Sequence, residues 1–172
     1  MAAALNLPDD YRNANWIWYP GKSRVKDHRA YFKREFTLDA VPEKALIFCT
    51  ADDYFRMYVN GKLFMEHYKS RSWNNMSFRD AAKFLQKGKN TILIKAMDGG
   101  GAPCGLLYSA VIKEKNGKVL KILSDTKTQA SEDNRNWVDA EIVCPFGGSP
   151  WSTMGPPCPA EVDMLDAYGF PF

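Results

Sequence analysis

Histidine is nearly missing from this sequence: two are present in 172 residues, His28 and His67, with no partnering motif around either. That scarcity weighs against a His-built metal centre or a Ser-His-Asp triad. The four cysteines (Cys49, Cys104, Cys144, Cys158) include no CxxC spacing, so zinc-site and thioredoxin-like readings have no support. No apolar run approaches the roughly 18 residues of a membrane-spanning helix. The net charge of +3 is too small to point to nucleic acid. Neither a membrane span nor a nucleic-acid partner is therefore expected. Residues 1–10 lack a basic start and a sustained apolar stretch, so they do not read as a signal peptide.

What is present points to one globular domain. A chain of this length buries roughly 70% of its unfolded surface, enough for a core without metal or disulfides. Hydrophobic residues at 45% and charged residues at 25% argue against disorder. Aromatics reach 13%, alongside 12 glycines and 10 prolines. Rings in that number, with many turns, suit a β-sandwich whose rings fill the space between sheets.

Strand signals dominate the chain. Residues 31–38 alternate, with Phe32, Phe36 and Leu38 on one face and Lys33, Glu35 and Thr37 on the other. Residues 44–50 form a short apolar run suited to a buried strand, with Cys49 a buried free thiol. Asn60-Gly61 between residues 54–59 and 62–65, and Asn116-Gly117 between 106–115 and 119–123, are hairpin turns. Residues 77–86 place Phe78, Ala81, Ala82 and Leu85 at helical spacing before Gly88, which predicts one short helix. Residues 90–97 return to strand, and a last short strand falls at 137–143. Trp16 and Trp18 read as core, both on one side of a strand; Trp137 and Trp151 read as pins for the C-terminal segment. The sum is eight or nine strands: an all-β sandwich or jelly roll over residues 15–144. An extension precedes it (1–14), and a Pro/Gly-rich tail follows (145–172) that wraps the body or links onward. A Cys144–Cys158 bridge stays open as an option in that tail.

Three groups could carry chemistry. Asp52 and Asp53 are adjacent carboxylates at a strand end, which call for a cation or several N–H donors. Ca²⁺ answers one way and an Asx-type turn the other. Asp98 opens a loop of Gly99, Gly100, Gly101, Ala102 and Pro103, where carbonyls can turn inward; a plain tight turn explains the glycines equally well. The glycines do not fit a phosphate loop. Trp73 lies in a polar loop with Arg71 and Asn74 beside it. Its indole either meets the apolar face of a sugar or anchors the loop.

Taken in order, the segments 16–20 (WIWYP), 31–38 (YFKREFTL), 50–62 (TADDYFRMYVNGK) and 88–94 (GKNTILI) resemble the galactose-binding-like jelly-roll domains of bacterial α-L-rhamnosidases. The pattern is most similar to the rhamnose-binding modules and N-terminal domains attached to those enzymes, and runs from about Asn15 to Trp137. The resemblance implies a non-catalytic, Ca²⁺-dependent sugar site at the loop end of the sandwich. It matches Asp52-Asp53 to an Asp-Asn pair, Asp98 to an Asn, and Pro103 to a Pro; Trp73 takes the place of a sugar-lining Trp. Aspartate stands where the pattern has asparagine at positions 53 and 98, making this site more acidic.

The sequence therefore predicts a carbohydrate-binding module that uses Ca²⁺ held by Asp52, Asp53, Asp98 and Pro103. The sugar meets Asp52, Asp53, Asp98, Trp73, Arg71 and Asn74. The resemblance implies a longer bacterial parent protein, secreted, periplasmic or cell-surface, carrying a catalytic glycoside hydrolase domain. A purely structural accessory domain is the alternative. A glycosidase using Asp52 and Asp98 is the weakest reading, because a sandwich this small leaves little room for a cleft.

Overall fold

The computed structural model describes residues 7–67, 72–101 and 103–162. Thirteen strands are found there, in two facing sheets. They are β1 (Asn15–Trp18), β2 (Arg29–Leu38), β3 (Pro42–Asp52), β4 (Tyr54–Val59), β5 (Lys62–His67), β6 (Ser77–Asp80) and β7 (Gly88–Met97). After them come β8 (Gly105–Glu114), β9 (Val119–Leu123), β10 (Gln129–Ser131), β11 (Val138–Asp139), β12 (Glu141–Pro145) and β13 (Cys158–Pro159). The seven-stranded sheet runs β12-β1-β8-β3-β6-β13, with β9 also paired to β8; the six-stranded sheet runs β11-β10-β2-β7-β4-β5. This is the expected all-β sandwich of jelly-roll type.

Alternation explains the core. In β7 the buried residues are Asn90, Ile92, Ile94 and Ala96, every second position, and β2 buries Phe32 and Leu38 with Phe36 packed against them. Each such large apolar side chain contributes roughly 1.5–3 kcal/mol on burial. β3 is buried on both faces because two clusters flank it. Ala45, Ile47, Cys49 and Ala51 face the space between the sheets. Leu46 and Phe48 face an outer cluster with Tyr11, Trp16, Leu107 and Trp151, against which Leu7, Phe146 and Met154 pack. Asn60 and Gly61 both take positive φ, 49° and 80°, as the hairpin turn between β4 and β5 requires.

Two expectations are corrected, and one option left open is closed. Residues 77–86 are not a helix: Ser77–Asp80 pairs with Leu46–Cys49 of β3, and a single 3₁₀ turn, Ala82–Phe84, follows. The open edge of β3 offered a ladder, and the Asp80 carboxylate accepts from the backbone N–H of Ala45 (3.1 Å) and Ala82 (2.9 Å), ending the strand there. Tertiary pairing outweighed a weak helical spacing. Trp16 and Trp18 do not share one side. Trp16 joins the outer cluster and Trp18 the inner one, and the β1–β12 register shifts between Trp16 and Ile17, breaking simple alternation. All four cysteines are free thiols, so Cys144 and Cys158 are not bridged.

Two crossings between the sheets matter for function. Only Asp53 separates β3, in one sheet, from β4, in the other. Residues 98–104 cross back from β7 to β8. The crossings lie side by side, since the Asp53 N–H donates to the Met97 carbonyl at 3.0 Å.

Candidate functional site

Because the two crossings adjoin, Asp52, Asp53 and Asp98 converge. One carboxylate oxygen from each lies within 4.8 Å of the others. Asp52 ends β3 opposite Gly105 of β8, and Asp98 follows β7 with its N–H on the His28 carbonyl at 3.0 Å. N–H donors hold the carboxylates in place. Trp151 Nε1 donates to Asp52 Oδ2 (2.8 Å) and the Gly99 amide to Asp53 Oδ2 (2.8 Å). Asp27 and Gly101 amides donate to Asp98 Oδ2 at 2.9 and 3.1 Å. Among the described residues, no lysine or arginine pairs with any of the three.

The electrostatic consequence is clear. Burial pushes the Asp52 carboxyl up to about 7, the Asp53 and Asp98 carboxylates push the same way, and the Trp151 N–H opposes them. Burial also raises Asp98, against the lowering effect of the Asp27 and Gly101 amides. Cys104 is pushed up to about 12, first by burial and then by the three carboxylates. Its thiol rests on the Val25 carbonyl at 3.2 Å and offers the cluster no sulfur ligand.

The cluster opens into a shallow cleft of about 180 Å³ lined by Asp52, Asp53, Gly100, Gly101 and Pro103. Three converging carboxylates could hold a metal ion, and an all-oxygen donor set suits a hard one. Asp52, Asp53, Asp98 and the Pro103 position expected from sequence thus border one place.

The other expected residues divide. Trp73 is half-buried and packs against the outer cluster, while its carbonyl accepts from Thr50 Oγ1 at 2.6 Å. Thr50 stands two residues before Asp52, so this turn lies on the strand that leads into the cluster. Asn74 accepts a side-chain bond from Ser72, and its carbonyl accepts from the Gly155 N–H at 3.0 Å. Arg71 lies outside the described residues.

Sequence reasoning missed three contributors. Trp151 stacks on Trp16 with centroids 4.3 Å apart and reaches Asp52 across 99 positions of chain. Gly105 makes that stack fit: a Cβ there would stand 2.6 Å from Trp151 Cη2 and 2.8 Å from Trp16 Cε3. Tyr54 lies over Gly99, where a Cβ would meet its ring at 2.2 Å. Only the adjacency of Tyr54 to Asp53 could have hinted at any of these.

No family model matches the chain. An α-L-rhamnosidase from Streptomyces avermitilis is 20% identical over 187 aligned residues, which cover 98% of this chain and 18% of the rhamnosidase. The crystal structure of Streptomyces avermitilis α-L-rhamnosidase complexed with L-rhamnose superposes with a TM-score of 0.75 at 20% identity, covering 83% of this chain and 16% of that one. A lectin from Pleurotus ostreatus in complex with GalNAc gives 0.73 at 24% identity, covering 87% of this chain and 47% of the lectin. A GH78 family rhamnosidase of Bacillus sp. GL1 gives 0.69 at 21% identity, over 86% of this chain and 20% of the rhamnosidase. The chain thus spans about a fifth of the rhamnosidases' length and about half of the lectin's. It shares the fold of a β-sandwich domain found within α-L-rhamnosidases and in a lectin, and resembles the modules of those enzymes.

Proposed function

We propose that this chain is a non-catalytic carbohydrate-binding module whose sugar site is organised by Ca²⁺. The observation that carries the reading is the convergence of Asp52, Asp53 and Asp98 from two inter-sheet crossings, with no lysine or arginine paired to them among the described residues. Asp52, Asp53 and Asp98, with a Pro103 loop carbonyl, would hold the ion. Bound Ca²⁺ supplies a Lewis-acidic centre that accepts sugar hydroxyl oxygens. The protein's own groups do the rest. Amides of Gly99 and Gly101 and the Trp151 indole fix the carboxylates, and Trp73, Asn74 and Arg71 would complete the proposed sugar-binding set.

A monosaccharide or chain end, rhamnose-like or otherwise, suits a cleft this small. Its affinity should be modest, because a few wet polar contacts rarely exceed micromolar binding. Bringing a glycoside hydrolase of a longer, exported parent protein to its substrate is the role the reading assigns. Hydrolysis by this chain itself is the weaker reading, since a cleft of about 180 Å³ leaves little room for a glycoside flanked by two carboxylates.

Calorimetric titration with Ca²⁺ followed by glycan-array screening tests the proposal. Sugar binding that disappears with a chelator and in Asp52→Asn supports it. No sugar bound in the presence of Ca²⁺ sinks it. One observation favours the second reading, a structural accessory domain: the Trp73 indole packs on the outer cluster. If Trp73→Ala lowers stability and leaves sugar binding unchanged, that ring is an anchor.

A further inference from the structure

The outward face of the six-stranded sheet, away from the aspartate cluster, alternates rings and lysines across neighbouring strands. In the ladders Tyr31 of β2 stands opposite Lys95 of β7, and Lys33 stands opposite Leu93, whose other neighbour is Tyr58 of β4. Lys33 and Lys95 are therefore diagonal neighbours, about 7–8 Å apart. Lys33 Nζ lies 4.1 Å from the Trp137 ring centroid, and Lys95 Nζ lies 5.9 and 5.5 Å from those of Tyr31 and Tyr58. Both ammonium groups are within cation–π reach, so the rings hold them in place.

The carboxylates nearby are already engaged. Glu35 pairs with Lys89 (3.4 Å), Glu66 with Arg56 (2.9 Å) and Asp125 with Arg34 (3.1 Å), while Asp139 accepts from the Gln129 amide (2.8 Å). Lys33, Lys95 and Lys127 are left without a carboxylate partner among the described residues. Beside Lys33 the surface opens into a cleft of about 420 Å³ lined by Lys33, Arg34, Glu35, Lys127 and Gln129. That is the volume of a small-ligand site, in which Arg34 and Glu35 are paired with Asp125 and Lys89 and the two lysines, Lys33 and Lys127, carry the charge without a carboxylate partner among the described residues.

The chemistry selects the occupant. Lysines stand over the rings, so those faces are not bare platforms for stacking a base or the C–H side of a neutral sugar. What the surface presents is positioned positive charge. A linear polysaccharide with carboxylates on its sugar units supplies the complementary charge along the chain, and its hydroxyls suit the Gln129 amide. Single-stranded nucleic acid is disfavoured because its sequence-tolerant binding relies on open aromatic platforms.

We propose that this sheet face is a second binding site, separate from the aspartate cluster, for a linear acidic polysaccharide whose carboxylates meet Lys33, Lys95 and Lys127. Affinity electrophoresis of the full chain in polygalacturonate gels, at low salt and with a chelator present, tests it. Working without Ca²⁺ keeps the result independent of the calcium site. Expected are retardation by polygalacturonate, none by its fully methyl-esterified form, and roughly ten-fold weaker binding in the combined Lys33→Gln, Lys95→Gln, Lys127→Gln variant. Lys127→Gln alone, an exposed turn position, is expected to weaken binding about two-fold and serves if the combined variant fails to fold. No retardation by polygalacturonate, unchanged affinity in a folded variant, or equal binding of oligothymidylate of matched charge would each overturn the proposal.

Discussion

Trp151 donates its indole N–H to Asp52 at 2.8 Å across 99 positions of sequence, while its ring stacks on Trp16. One side chain thereby ties the C-terminal segment, the outer core cluster and the acidic cleft together. Trp151→Phe keeps most of the ring and removes the donor. It should cost about 1–2 kcal/mol, whereas Trp151→Ala should cost about 3–5 kcal/mol. Urea unfolding of both variants checks this, and no loss in Trp151→Phe would mean that the hydrogen bond contributes nothing beyond packing.

Asp52 makes the metal-free protein pH-sensitive in a stated direction. Its carboxyl is raised from an ordinary value of 3.8 to about 7 in the folded chain, so between those values the folded state binds more protons than the unfolded one. Stability is then highest at the acidic end of the window and falls as pH rises through 7. With a chelator present, melting temperature should drop between about pH 5 and about pH 8. Asp52→Asn should flatten the drop. A profile that rises over this range would show that Asp52 is not held protonated.

Glycine at 105 is required by close approach. A methyl group there would overlap Trp151 and Trp16, with Cβ 2.6 and 2.8 Å from their ring atoms. Gly105→Ala should cost about 1–3 kcal/mol and disturb the stacked pair. Thermal unfolding and near-UV circular dichroism read the two effects. An unchanged melt would show that the strand yields at no cost.

The thiols should divide into two classes. Cys49 and Cys104 are buried, and burial raises both thiols, Cys104 to about 12. Cys144 and Cys158 are only partly buried. A thiol reagent near neutral pH should modify Cys158 and Cys144 in the folded protein and leave Cys49 and Cys104 until denaturant is added. Mass spectrometry of the labelled chain checks the assignment, and rapid labelling of Cys104 would contradict the closed loop around it.

Much of the sandwich was legible in advance because strand signals are local. The alternation in β2 and β7 and the Asn60-Gly61 turn depend on residues within a few positions of each other. Residues 77–86 misled for the opposite reason: four apolar positions at helical spacing could not reveal that β3 would offer an open edge. Trp16 and Trp18 misled because a register shift in the ladder is invisible to simple alternation.

The site divides along the same line. Sequence by itself determined that Asp52 and Asp53 sit at a strand end and that Asp98 opens a glycine-rich turn, since adjacent carboxylates and Gly99–Gly101 are read in place. Only the tertiary structure decided that the β3–β4 and β7–β8 crossings lie side by side, bringing these carboxylates within 4.8 Å. The same is true of Trp151 on Asp52, and of Lys33 and Lys95 meeting across a ladder. The scarcity of histidine weighed against one kind of chemistry from the start. The all-oxygen cluster came from sheet pairing, because proximity across a sandwich is set by which strands share ladders, and no local pattern encodes it.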